Sequence, residues 1–120
     1  MSRPLEIYRG YREDLPADEI AGLIEEVHAH FAGLVRAQER NELVAVDLAE
    51  LLCERLEILL AAAPGLAADV RAEIVGAARY FVSVADAIPD DRSCIGLDDD
   101  VAVFNHVVRA IGRLDLEVTG

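Results

Sequence analysis

Residues 43–60, LVAVDLAELLCERLEILL, repeat their large apolar side chains at three and four: Leu43/Val44, Leu48, Leu51/Leu52, Leu56 and Leu59/Leu60. That is the helical period, and the stripe it makes is broad enough to face the centre of a core. An alternating strand would split the same residues between two faces. Glu50, Glu54 and Glu57 fall on the other side of the helix. Asn41 is placed to cap its start, and Pro64-Gly65 stops it.

The same period runs outward in both directions. Upstream, Ile20, Leu23/Ile24, Val27, Phe31 and Leu34 mark a helix over about 16–40, with Pro16 near its start and acids in its first turn. Downstream, Leu66, Val70, Ile74, Ala77, Phe81 and Val84 trace a third helix to about Ala87, where Pro89 biases Ile88 out of the helical region. Beyond Gly96, Val101, Phe104, Val107/Val108, Ile111 and Leu114 trace a fourth. Residues 1–13 hold Leu5, Ile7, Tyr8 and Tyr11 without a sustained period; no element is assigned to them, and an N-terminal arm docking on the body is the reading open to them. The run LDLEV, 114–118, alternates but is too short to count as a strand. The expectation is one all-α domain over 1–120, a small bundle or orthogonal array of about four helices.

Composition narrows the class. A chain of 120 residues buries about two-thirds of the surface it exposes when unfolded, so it needs no disulfide or metal staple. Hydrophobic residues make up 53% and aromatics only 5%, which suits helix-on-helix packing. Lysine is absent, and all 11 basic side chains are arginines against 23 acids, a formal charge of −12. Such a chain repels phosphate, which excludes nucleic acid and anionic lipid as direct partners. Cys53 and Cys94 fit neither a disulfide framework nor a zinc spacing; they read as free thiols in a reducing, cytoplasmic setting. The N-terminal residues lack the apolar core of a signal peptide. The charge-free run Ile58 to Ala68 is 11 residues, short of the ~20 that span a membrane.

The stretch ADAIPDDRSCIGLDDD, 85–100, gathers six aspartates. Read as joinery, Pro89 ends one helix, Gly96 takes a turn conformation, and Asp98 or Asp99 caps the next helix while the acids complement its dipole. Asp86, in a last turn where the dipole disfavours an anion, then needs a partner such as Arg79, Arg109 or Arg113. Read as chemistry, Asp86, Asp90, Asp99 and Asp100 surround a hard cation, Mg²⁺ or Ca²⁺, with oxygen ligands from a helix end, a loop and a helix start. The spacing is not that of an EF-hand. Joinery is the preferred reading.

The segments YFVSVADAIPD (80–90) and GLDD (96–99) resemble the signature of the YkvA-like proteins, a bacterial family of unknown function. The resemblance covers about residues 73–112. It implies that Asp86, Pro89, Asp90, Gly96, Asp99 and Asp100 are the motif positions, and it supplies no reaction. Two departures stand out: Ala85 or Val84 occupies a place where the family has proline, and DDRSC (90–94) replaces an apolar loop.

Other candidates are weaker. His28 and His30 are two apart and point to opposite sides of a helix, so they do not share an ion. His106 follows the aspartates by two turns and could pair with one as acid or base, although a core-rim histidine explains it as well. Cys94, expected in a loop near a helix start, is disfavoured as a thiolate by the acids around it; Cys53 is core. Phosphate loops, nucleophile elbows and H-E-x-x-H or C-x-x-C motifs are all missing from the sequence. Glu42, Asp47, Glu50, Glu54 and Glu57 form a solvated face that would also serve as an acidic docking surface, strengthened by an apolar patch beside it including Tyr8, Tyr11 or Val118. The functional expectation is a non-enzymatic interaction module for a basic protein partner, in its specific form an inhibitor or immunity-like protein. The alternatives are a divalent-metal-binding or metal-dependent hydrolytic protein built on the aspartates, and a homo-oligomer formed through the second helix.

Overall fold

The structure, a computed structural model, holds five α-helices among the residues it describes, 3–38, 46–87 and 93–118 for the backbone and 5–36, 47–82 and 100–118 for the side chains, and the apolar spacings of three and four account for the last four of them. They are α1 (Arg3–Tyr11), α2 (Ala17–Gln38), α3 (Val46–Ala62), α4 (Ala68–Ala87) and α5 (Ser93–Ala110). Short 3₁₀ turns cover Ala63–Gly65 and Leu114–Leu116. No strand occurs among the described residues, so the all-α expectation holds.

Each junction has a local cause. The Pro16 carbonyl accepts the amides of Glu19 and Ile20, both at 3.1 Å, and so opens α2. Pro64 cannot continue α3, and its 3₁₀ turn closes with Leu66 donating to the Ala63 carbonyl at 3.0 Å. At the end of α5, Gly112 adopts φ +82°. Its amide donates to Arg109 and that of Arg113 to Val108, which is the Schellman pattern of a helix end.

The core draws on every helix. Leu52, Leu56, Leu59 and Leu60 of α3 are fully buried, together with Val27 of α2, Ile74 and Val75 of α4, and Val107 and Val108 of α5. Each contributes roughly 1.5–3 kcal/mol of hydrophobic stabilisation. Helix α2 packs most extensively on α3. The leucine-rich helix is not the centre, however. That place belongs to α4, which packs against all four other helices and is buried almost continuously from Ile74 to Ala78, where Gly76, Ala77 and Ala78 let neighbours approach closely.

Further expectations change at the N-terminal segment and in the apolar patch, while LDLEV is no strand, as expected. Residues 3–11 are helical, and Tyr8, expected in an exposed patch, is 1% exposed under α1. Val118 is buried too, and Tyr11 half-buried. LDLEV begins with the second 3₁₀ turn, whose Leu116 plugs the core while Arg55 donates to the Leu116 carbonyl at 2.7 Å. Asn105 completes the clamp: it donates to the Val118 carbonyl and accepts the Val118 amide, each at 2.8 Å.

Candidate functional site

Helices α2 and α3 together carry eight carboxylates, Asp18, Glu19, Glu25, Glu26, Asp47, Glu50, Glu54 and Glu57, against Arg36 and Arg55. All eight are exposed, and Arg55 is turned toward the 116–117 backbone. On α3 the acids recur at three and four, so Asp47, Glu50, Glu54 and Glu57 make one row about 15 Å long. Successive members are separated by about 5–6 Å, less than the screening length at physiological salt, so their potentials add.

The arginines are spent elsewhere. Arg12 pairs with Glu73 at 2.8 Å, Arg71 with Asp14 at 2.7 Å, Arg79 with Glu13 at 3.0 Å, Arg109 with Glu117 at 2.6 Å and Arg113 with Asp115 at 3.1 Å. All five pairs lie on α1, α4, α5 and the segments next to them. Among the described residues no arginine pairs with Asp47, Glu50 or Glu54. Among the described residues, the arginine–carboxylate pairs therefore lie away from the acidic row of α3.

At the seam of α2 and α3, His28 places Nε2 2.8 Å from Glu57 Oε1 and Nδ1 3.7 Å from Cys53 Sγ. A thiol, an imidazole and a carboxylate in this order have the connectivity of a nucleophile, its base and an orienting acid. The environment opposes that use. Burial pushes the Cys53 thiol above its ordinary pKa, and Glu57, Glu54 and Glu50 push it further, so the sulfur stays protonated at neutral pH. It is also only 3% exposed, in mid-helix, where backbone amides are committed to carbonyls one turn back and cannot hold an oxyanion. The arrangement works as a polar staple: Glu57 accepts from His28, and His28 faces the thiol. His30, on the opposite side of α2, stacks edge-on against Phe81 of α4 at 4.7 Å, so the two histidines separate as their spacing requires.

The aspartate stretch is placed only in part. Asp90 and the side chains of Asp86 and Asp99 lie outside the described residues, so the proposed Mg²⁺ or Ca²⁺ ligand set, and with it Asp86 in a shared site, is named here without geometry. The backbone does correct the joinery. Helix α5 starts at Ser93, so Cys94 and Gly96 are in its first turn rather than in a loop or bend, and Asp98, Asp99 and Asp100 sit in the second turn rather than at the cap. Asp100 is 5% exposed and falls on the inward stripe with Val103, Phe104 and Val107, a position that no capping rule explains. Arg79, Arg109 and Arg113, the suggested partners of Asp86, are each engaged by another carboxylate. Among the described residues no three His, Cys, Asp or Glu side chains are arranged so as to hold a metal ion, and no helix is long and apolar enough to cross a membrane.

Sequence reasoning found the acidic row but missed the Cys53–His28–Glu57 contact. The i, i+4 spacing of Cys53 and Glu57 was a local signal, while the approach of His28 from α2 was not. Comparison of the chain with protein-family models, with curated proteins and with solved structures finds no match.

Proposed function

We propose that the chain is a non-enzymatic interaction module whose α2–α3 face binds a basic protein partner, in its specific form as an inhibitor or immunity-like protein. The observation that carries this reading is the sorting of charge: five arginine–carboxylate pairs lie away from α2 and α3, while Asp47, Glu50 and Glu54 have no arginine among the described residues. A row of unpaired carboxylates raises the encounter rate with a cationic surface and disfavours acidic competitors. It costs self-repulsion in the free protein, and a bound partner would relieve that cost. The YkvA-like resemblance over 73–112 adds no reaction to this reading.

The experiment compares the intact chain with the Glu50→Gln/Glu54→Gln variant, which keeps helix propensity and the His28–Glu57 pair. Both are immobilised at physiological salt, and proteins retained by only the intact chain are purified and titrated. The reading predicts a Lys/Arg-rich protein bound about tenfold more tightly by the intact chain, through a faster on-rate that falls as salt rises. Identical retention by the two chains would sink it.

A further inference from the structure

We propose that the groove between α4 and α5 is a binding site for a partner helix that presents a tyrosine and, four residues on, an arginine, and that α1 is the chain's own displaceable occupant of it. The groove is built to read those two side chains. The Tyr8 ring fills a notch over Gly76, where an added Cβ would lie 3.0 and 3.1 Å from the ring and 2.7 Å from Arg12 Cγ. The two oxygens of Glu73 are divided between the ligand's groups: Tyr8 donates its hydroxyl to Oε2, and Arg12 donates Nη1 to Oε1 at 2.8 Å. From α5, His106 meets the Tyr8 ring edge-on at 5.7 Å. The Arg12 guanidinium lies 5.8 Å from the centre of the same ring, so tyrosine and arginine are recognised as a unit. Arg79 finishes the site by donating to the Tyr11 carbonyl at 3.1 Å at the end of the bound helix.

Helix α1 lies along α4 and more lightly on α5, but few of its own side chains are buried there. Of its described side chains only Tyr8 is buried; Leu5 and Tyr11 are half-buried, and Glu6, Ile7, Arg9 and Gly10 are exposed. The Arg79–Glu13 and Arg71–Asp14 pairs beside it are at the surface, where such pairs contribute little. With 9 residues α1 is shorter than the roughly 12–15 that sustain a helix alone, and Gly10 weakens it further, so it is helical because it is docked. Connection through Arg12–Pro16, which has no regular structure, lets it leave while α2–α5 keep their mutual packing. A longer, preformed helix with the pattern Leu-x-x-Tyr-x-x-x-Arg, as in Leu5, Tyr8 and Arg12, loses less entropy on docking and can replace it. The tether gives α1 a high effective concentration, so the intact chain binds such a helix weakly until α1 is loosened.

The test uses a fluorescent peptide with the sequence of residues 3–14 as probe and the full chain as receptor. The Tyr8→Ala chain should bind the probe at least about tenfold more tightly than the intact chain, because its own occupant has lost its anchor. Adding Gly76→Ala to that chain, where the resident ring is gone and Arg12 can move away with α1, should remove most of the gain by filling the notch. If Tyr8→Ala lowers helicity beyond α1, Tyr8→Phe replaces it, with a smaller gain expected in the same direction. In the intact chain, the α1 amides should exchange hydrogen well before those of α4. The proposal is overturned if a folded Tyr8→Ala or Tyr8→Phe chain binds no more tightly than the intact one, or if Gly76→Ala leaves binding unchanged. It is equally overturned if α1 exchanges only with global unfolding, or if the intact chain forms a dimer that the peptide does not dissociate, which would assign the groove to a second copy.

Discussion

Asn105 holds both backbone groups of Val118, and no other side chain could do so from that place: the amide supplies one donor and one acceptor side by side. Asn105→Ala leaves a part-buried N–H and C=O without their partners, at a cost of about 1–3 kcal/mol, measurable as a lower urea midpoint with an unchanged slope. Asn105→Asp keeps the acceptor but turns a carboxylate toward a carbonyl, and should be no better than alanine. Cys53 makes a chemical prediction. Its thiol is buried and raised in pKa by that burial and by Glu57, Glu54 and Glu50, so in the native protein its peptide should remain unalkylated by iodoacetamide at pH 7–8 and react promptly in urea. Rapid native alkylation, read by mass spectrometry of that peptide, would mean that the seam opens on its own.

Among the elements, α5 owes its end to one dihedral. Gly112 sits at φ +82°, so Gly112→Ala should cost roughly 1 kcal/mol although nothing lies within 4 Å of the new methyl; the thermal midpoint checks it. The clasp of α1 and its neighbours titrates in two opposite senses. Hydrogen bonds from Arg71, Arg113 and Arg109 hold Asp14, Asp115 and Glu117 below their ordinary values, so their contribution is present above the ordinary carboxylate range and is lost as pH falls through the lowered values. Glu73 runs the other way. Burial raises its pKa, with His106 opposing, so the folded state binds that proton more tightly and stability declines as pH rises through the window above 4.5. The urea midpoint should therefore climb with pH below about 4 and sag above it, and Glu73→Gln should abolish only the sag. Helix existence was readable wherever the apolar repeat ran for several turns, as from Leu48 to Leu60. It failed at α1, whose 9 residues hold one buried anchor and no repeat, and at the start of α5, where Gly96 resembles a turn yet lies inside a helix.

For the molecule as a whole, the net charge of −12 and the arginine-free row on α3 make repulsion the larger electrostatic effect, because the arginine pairs are exposed to solvent and screened by it. Sodium chloride at moderate concentration should thus raise the thermal midpoint, and the Glu50→Gln/Glu54→Gln variant should gain less from it; a midpoint that falls with salt would show that the pairs dominate. The acidic row on α3 was legible because residues three and four apart share a helix face whatever the helix packs against. Where the arginine pairs fall was not, since Arg12 meets Glu73 across 61 positions and Arg79 meets Glu13 across 66. The amino-acid order alone therefore settles the helical class, the amphipathic faces and the excess of negative charge, all of which follow from short-range periodicity and counting. The central place of α4, the burial of Asp100, the docking of α1 and the pairing of Arg12, Arg71 and Arg79 arise only when distant segments pack, because close approach at small residues such as Gly76 selects partners that no local pattern names.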